Sequence, residues 1–183
     1  MSNAATEPDP LAYYSPETYL FAAVAASFAH TGQIHPEAFY LICDWKAPRA
    51  RTRHLKRLAQ IAGNFTNAVS QIADELHRAD GNERRINILM TKWKFRLPTA
   101  SAILAVLYPD VFTVYDIRTC TVLDDFKSLG DMNWSLDLWR EYQRFAAAVR
   151  SAVPDAKSLR DCDRSLWGKD KRRVMLNELA AAG

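Results

Sequence analysis

RLPTASAILAVLYPDVFTVYDIRTCTVL, residues 96–123, is the stretch on which the fold turns. Its first half places Ala100, Ile103, Leu104 and Leu107 at helical spacing. The small residues Ala100, Ser101 and Ala102 between them let a neighbouring backbone approach closely, so the spacing predicts a packed central helix. Tyr108-Pro109-Asp110 ends that helix, because the residue before a proline is pushed out of the right-handed helical region. Val111, Phe112, Val114 and Tyr115 then read as a short extended apolar run, and a second helix is expected from 117 to about 129. Asp116 stands at the junction. A carboxylate there can accept hydrogen bonds from the first free N–H groups of the helix, as an N-cap does. The same placement suits a catalytic carboxylate held at the positive end of a helix.

Outward from this centre the chain reads as helix after helix. Residues 1–14 are expected to be a flexible N-terminus and residues 15–183 a single all-helical domain. Ser15-Pro16 starts a helix to about His30, stopped by Thr31-Gly32. A second runs from 36 to 46 with Phe39, Ile42 and Trp45 on one face. A basic helix over 51–62 turns Leu55, Leu58 and Ile61 inward and Arg53, Lys56 and Arg57 outward. Thr66 is expected to cap a helix to about Arg78, and residues 82–93 carry Ile86, Leu89, Met90 and Trp93 on one face. The segment 92–97 (KWKFRL) reads either as a tight turn or as an extended loop burying Trp93, Phe95 and Leu97. After the central stretch Gly130 stops a helix, and Ser135 caps a long one with an apolar stripe of Leu138, Tyr142, Phe145 and Val149. Ser158 opens a helix through Trp167, and residues 169–173 open a final basic one. This predicts an all-α bundle of eight or nine helices.

Composition agrees with that class. Six glycines and 49% apolar residues in 183 favour helices over turn-rich sheet, and the length allows one domain with a sizeable core. Net charge is only +3. Its distribution says more: residues 45–57 hold Lys46, Arg49, Arg51, Arg53, Lys56 and Arg57 without an acid, and residues 84–96 hold Arg84, Arg85, Lys92, Lys94 and Arg96 without one. Two acid-free basic stretches are the electrostatic footprint of a phosphate binder. Cys43, Cys120 and Cys162 are far apart and read as small buried residues in a reducing compartment. The four histidines have no metal-ligand spacing, and neither a Gly-rich phosphate loop nor a nucleophile elbow is present. With no signal peptide and no apolar run long enough to span a bilayer, the expected location is cytoplasmic, on nucleoid DNA if DNA is bound.

The stretch around Asp116 resembles the helix-hairpin-helix Gly/Pro-Asp DNA glycosylases. In that family an L-P-G-V-G-[RK]-K-T-A segment opens the second hairpin helix, and an apolar extended segment then leads to the essential Asp. Thr99-Ala100 matches the T-A, and Val114-Tyr115-Asp116-Ile117-Arg118 matches the run around the Asp, at the family's separation and without a gap. The order of helices agrees across about 15–170, while the specific residues lie between about 93 and 123. Two positions depart from the pattern. The hairpin glycines fall at Lys94 and Arg96, so the hairpin is altered. The Schiff-base lysine of bifunctional members falls at Pro98, which excludes lyase chemistry through that position. The resemblance implies a monofunctional enzyme without a cofactor, and the chain lacks the four cysteines that hold an iron–sulfur cluster in some relatives.

Asp116 is thereby the expected catalytic carboxylate, stabilising an oxocarbenium-like sugar cation and orienting or deprotonating a water. The base must leave the stack first, which calls for a basic face and an aromatic pocket. Lys46, Arg49, Lys94, Arg96, Thr99 and Arg118 are the expected DNA-binding residues, and Trp45, Trp93 and Tyr115 the expected stacking or pocket residues. Two functions remain: a DNA base-excision glycosylase, or a catalytically inactive relative that keeps the fold to bind DNA or a protein.

Overall fold

A computed structural model describes residues 10–182, and among them every regular element is helical. Residues 1–9 of the expected flexible N-terminus lie outside that range, whereas Pro10–Tyr14 forms a one-turn helix, α1. One helical run follows. It comprises α2 (Pro16–Tyr19), a π-helical turn (Leu20–Val24) and α3 (Ala25–Thr31). Gly32 closes it at φ 67°, where a β-carbon would lie 2.7 Å from the His77 ring. Only glycine meets both demands.

At the centre is α8 (Leu97–Leu107), ten of whose eleven residues are buried. A helix apolar on every side must be covered on every side. It is enclosed by α3, the π-helical turn, α4 (Pro36–Lys46) and α7 (Asn82–Thr91). Beside these, α5 (Arg51–Ala62) packs on α6 (Phe65–Arg78), whose Val69, Ile72, Ala73 and Leu76 are fully buried. The second half contributes α9 (Ile117–Leu123), a 3-10 turn (Lys127–Asp131), α10 (Leu136–Ser151) and α11 (Leu159–Ala182), with α9 and α10 packed on α11. The expected stripe of Leu138, Tyr142, Phe145 and Val149 is buried, and Ser135 caps α10 by accepting the Leu138 N–H at 3.1 Å.

Several boundaries differ from those the sequence predicts. Asn64, not Thr66, caps α6, accepting the Asn67 N–H at 2.8 Å. Ile61 on α5 is exposed and Arg57 is half-buried with its guanidinium over Phe95, because His54 and Leu58 hold the inward face. The helix after Asp116 stops at Leu123 rather than near 129, since Asp124 takes a left-handed conformation (φ 55°) and its N–H returns to the Cys120 carbonyl. Short polar side chains tolerate that conformation. Gly168 does not divide the last helix, so α11 runs unbroken through the two helices expected there.

Between α7 and α8 the two readings of the turn merge. Lys94 is left-handed at φ 58°, so the chain turns tightly, and Trp93, Phe95 and Leu97 are all buried. The Phe95 N–H donates to the Leu89 carbonyl and the Trp93 N–H to the Ile88 carbonyl, closing the turn on the end of α7. Among the described residues no helix is long and apolar enough to cross a membrane.

Candidate active site

The segment from Phe112 to Tyr115 is extended, buried and without strand partners. Buried backbone groups must nevertheless be paired, and here side chains from other helices supply the partners. Tyr142 on α10 accepts the Thr113 N–H at 3.1 Å and donates to the Thr113 carbonyl at 2.6 Å. Asp163 on α11 accepts the Val114 N–H at 3.2 Å and the Thr113 hydroxyl at 3.0 Å. Ser101 on α8 accepts the Tyr115 N–H at 2.9 Å. The backbone leading to Asp116 is thus gripped from three helices.

Asp116 itself caps α9: Oδ1 accepts the Arg118 N–H at 3.0 Å. Its other oxygen accepts from Lys46 Nζ at 2.8 Å, and Lys46 also donates to the Tyr115 carbonyl at 3.0 Å. The Lys46 side chain, at the end of α4, is 10% exposed and that of Asp116 27%. The carboxylate is therefore paired yet open, and the opening is a cavity of about 490 Å³ between α2, α4, α9 and α11. That volume is within the roughly 300–1,000 Å³ of small-molecule pockets.

The cavity's charge is balanced rather than cationic. Lys46, Arg160 and Arg164 face Glu17, Asp116 and Asp163, with Trp45 and Trp167 as aromatic walls. Arg160 ties these groups together. It pairs with Asp163 and, at 3.0 Å, with Glu17, and its guanidinium lies 5.0 Å from the Trp45 ring and 4.8 Å from Phe21. Phe21, carried by the π-helical turn, meets Trp45 edge to face at 5.6 Å. Burial pushes the Asp163 carboxyl up to about 6 against the opposing pull of Arg160 and of the two hydrogen bonds from residues 113 and 114. Burial likewise pushes the Cys43 thiol up to about 12 and Cys120 up to about 11, so neither offers a thiolate nucleophile at neutral pH. Among the described residues no group of three or more His, Cys, Asp or Glu is placed to hold a metal ion.

Of the residues expected from sequence, Asp116, Lys46 and Trp45 come together in this cavity. Arg118 lies beside it, paired with Asp170 at 2.9 Å and 5.2 Å from the Trp167 ring. Trp93 and Tyr115 are core residues rather than pocket residues, 0% and 2% exposed. Trp93 spends its indole N–H on Glu75 at 3.1 Å, and the Tyr115 hydroxyl donates to the Phe126 carbonyl at 2.8 Å while accepting the Gly130 N–H at 3.0 Å. Thr99 is buried in the first turn of α8. Arg49 and Lys94 are exposed and make no ion pair among the described residues, but neither lines the cavity. Arg96 is exposed and reaches the Asp131 carbonyl at 3.3 Å.

Sequence reading missed Glu17, Arg160, Asp163, Arg164 and Trp167. The last four had a signal, since a spacing of 0, 3, 4 and 7 puts them on one helix face. The basic stretches are also partly consumed within the fold: Arg51 pairs with Asp44, Lys92 with Glu75, and Arg85 lies 4.3 Å over the Tyr108 ring. No family model matches the chain, and neither a curated protein nor a solved structure matches it.

Proposed function

We propose that this protein binds DNA and acts as a monofunctional base-excision glycosylase of the helix-hairpin-helix type, with Asp116 as its essential carboxylate. One observation carries the reading. The acid selected by its sequence context is also one of three acids lining a cavity walled by two tryptophans, and a braced backbone presents it there. A base turned out of the duplex would stack against Trp45 or Trp167. Water would attack the anomeric carbon as the N-glycosidic bond breaks, its electron pair leaving with the base. Asp116 would orient that water, take its proton and stabilise the sugar cation.

A second reading, a DNA-binding relative without catalysis, is favoured by the pairing of both Asp116 oxygens and by Lys94 at the hairpin glycine position. Duplex oligonucleotides, each carrying one damaged or modified base and treated with alkali after incubation, separate the two. Strand breaks that vanish in Asp116→Asn support the enzyme. Salt-sensitive binding without breaks on any substrate assigns the second reading.

A further inference from the structure

On the α2 side of the cavity, two arginines converge on one oxygen. Arg160 reaches Glu17 Oε1 through Nη2 at 3.0 Å and Nε at 3.2 Å, and Arg164 reaches the same oxygen through Nε at 3.2 Å. Arg160 is fixed without that acid, since it also pairs with Asp163 and lies against the Phe21 and Trp45 rings. Arg164 stands one helical turn further along α11, 58% exposed, with Asp161 3.7 Å away. Glu17, by contrast, is carried by a lightly anchored part of the chain. None of the described side chains from Pro10 to Tyr19 is buried, and Tyr14 is 89% exposed. Burial begins with Leu20, which together with Val24 fastens the π-helical turn to the core. Such turns interrupt the regular helical ladder and are frequent at functional sites, so this one is a natural pivot for the arm before it. Glu17 also sets the charge of the site. With it, Lys46, Arg160 and Arg164 face three acids; without it, the same three cations face only Asp116 and Asp163.

We propose that Arg160 and Arg164 form a phosphate seat which Glu17 fills in the free protein, and that an arriving phosphate displaces the carboxylate and swings α1 and α2 off the cavity about the π-helical turn. The two non-bridging oxygens of a phosphodiester give each arginine its own acceptor, where Glu17 presents a single oxygen to both. The exchange is one anion for another, so the arginines are never left unpaired. It leaves the core intact, because the arm before Leu20 contributes no buried side chain among those described. It also removes the wall that α2 supplies, which widens the way in to Trp45 and Trp167. The balanced charge of the closed cavity is thereby the resting state of a cationic one. Taking the phosphate to be that of DNA rests on the functional reading above; the terminal phosphate of a free nucleotide offers the same chemistry.

Nitroxide labels at Tyr14→Cys on α1 and Gln143→Cys on α10 report the position of the arm; both sites are exposed, and the native cysteines are buried away from the label. Pulsed electron spin resonance measures the distance between the labels in the full chain alone, with a short DNA duplex, and with deoxyadenosine monophosphate. The duplex should shift the distance to longer values, and Glu17→Gln should shift it with no ligand present. No shift with either ligand, or none in Glu17→Gln, would overturn the seat; a shift with the monophosphate but not with the duplex would overturn DNA as the source. In duplex titrations Glu17→Gln should bind about two- to fivefold tighter than Glu83→Gln, which removes the same charge from α7, outside the cavity lining. Arg164→Gln should weaken binding and lower the salt dependence by about one unit of slope. Equal affinity of the two Gln variants, or an unchanged slope in a folded Arg164→Gln protein, would likewise overturn the seat. None of these measurements involves base release, so their failure leaves base hydrolysis untouched, and failure of base release leaves a displaced arm standing.

Discussion

The Val114 N–H donates to the buried carboxylate of Asp163 at 3.2 Å, two residues before Asp116 and forty-nine residues apart in sequence. That bond joins the last helix to the backbone that presents the candidate catalytic acid. Asp163→Ala leaves a buried amide and the Thr113 hydroxyl without their acceptor, and leaves Arg160 with Glu17 as its remaining carboxylate. It should cost about 3–5 kcal/mol, as removing one partner of a buried pair does. Asp163→Asn keeps an acceptor oxygen and should cost less. Urea unfolding of the three proteins checks the order, and an Asp163→Ala protein within about 1 kcal/mol of wild type would contradict the bracing role.

Two buried groups should give stability slopes of opposite sign over one pH window. Asp163 is raised from 3.8 to about 6 in the folded state, so its contribution is present below pH 4 and is lost as pH rises through 6. His54 is lowered from 6.5 to about 4 by burial and by Arg57 and Arg53, so its contribution is present above 6.5 and is lost as pH falls through 4. Each is worth about 3 kcal/mol at full extent. Relative to wild type, Asp163→Asn should gain stability as pH rises from 4 to 6, and His54→Gln should lose it. Thermal unfolding of all three at pH 4, 5 and 6 reads both slopes, and parallel curves would refute the assignment.

Substitution can separate the backbone geometry of Lys94 from its proposed contact with DNA. Its φ of 58° costs a side chain with a β-carbon about 1–2 kcal/mol. Lys94→Asn tolerates that backbone and should leave stability within about 0.5 kcal/mol, whereas Lys94→Val should lose about 1–2 kcal/mol. If the turn meets a DNA phosphate, Lys94→Asn should lower the salt dependence of duplex binding by about one unit of slope. A slope unchanged in the folded Lys94→Asn protein would remove Lys94 from the DNA-binding surface.

Local pattern made much of the architecture legible and left half of the site dark. The helical class, the central helix over 97–107 and the cap at Ser135 follow from periodicity and capping chemistry, which act within a few residues. Asp116 was legible for the same reason. Trp93 and Tyr115 were not, because a tryptophan beside lysines looks alike whether its indole stacks on a base or bonds Glu75 in the core. Spacing puts Arg160 and Asp163 on one helix face, but their partners are set only once α11 meets the 112–115 segment and α2, which that spacing does not encode. The unbroken α11 shows a third limit: Gly168 weakens a helix by about 1 kcal/mol but does not end one.

Release of free base from duplex DNA tests the central claim most directly. DNA treated separately with alkylating, deaminating and oxidising agents is incubated with the protein, and the released bases are identified by mass spectrometry. Wild type should release at least one modified base. Asp116→Asn, which keeps an acceptor for the Arg118 N–H and hence the cap, should release it at least about a hundredfold more slowly, the scale of a lost acid–base group. Release at the wild-type rate by a folded Asp116→Asn protein would contradict the account.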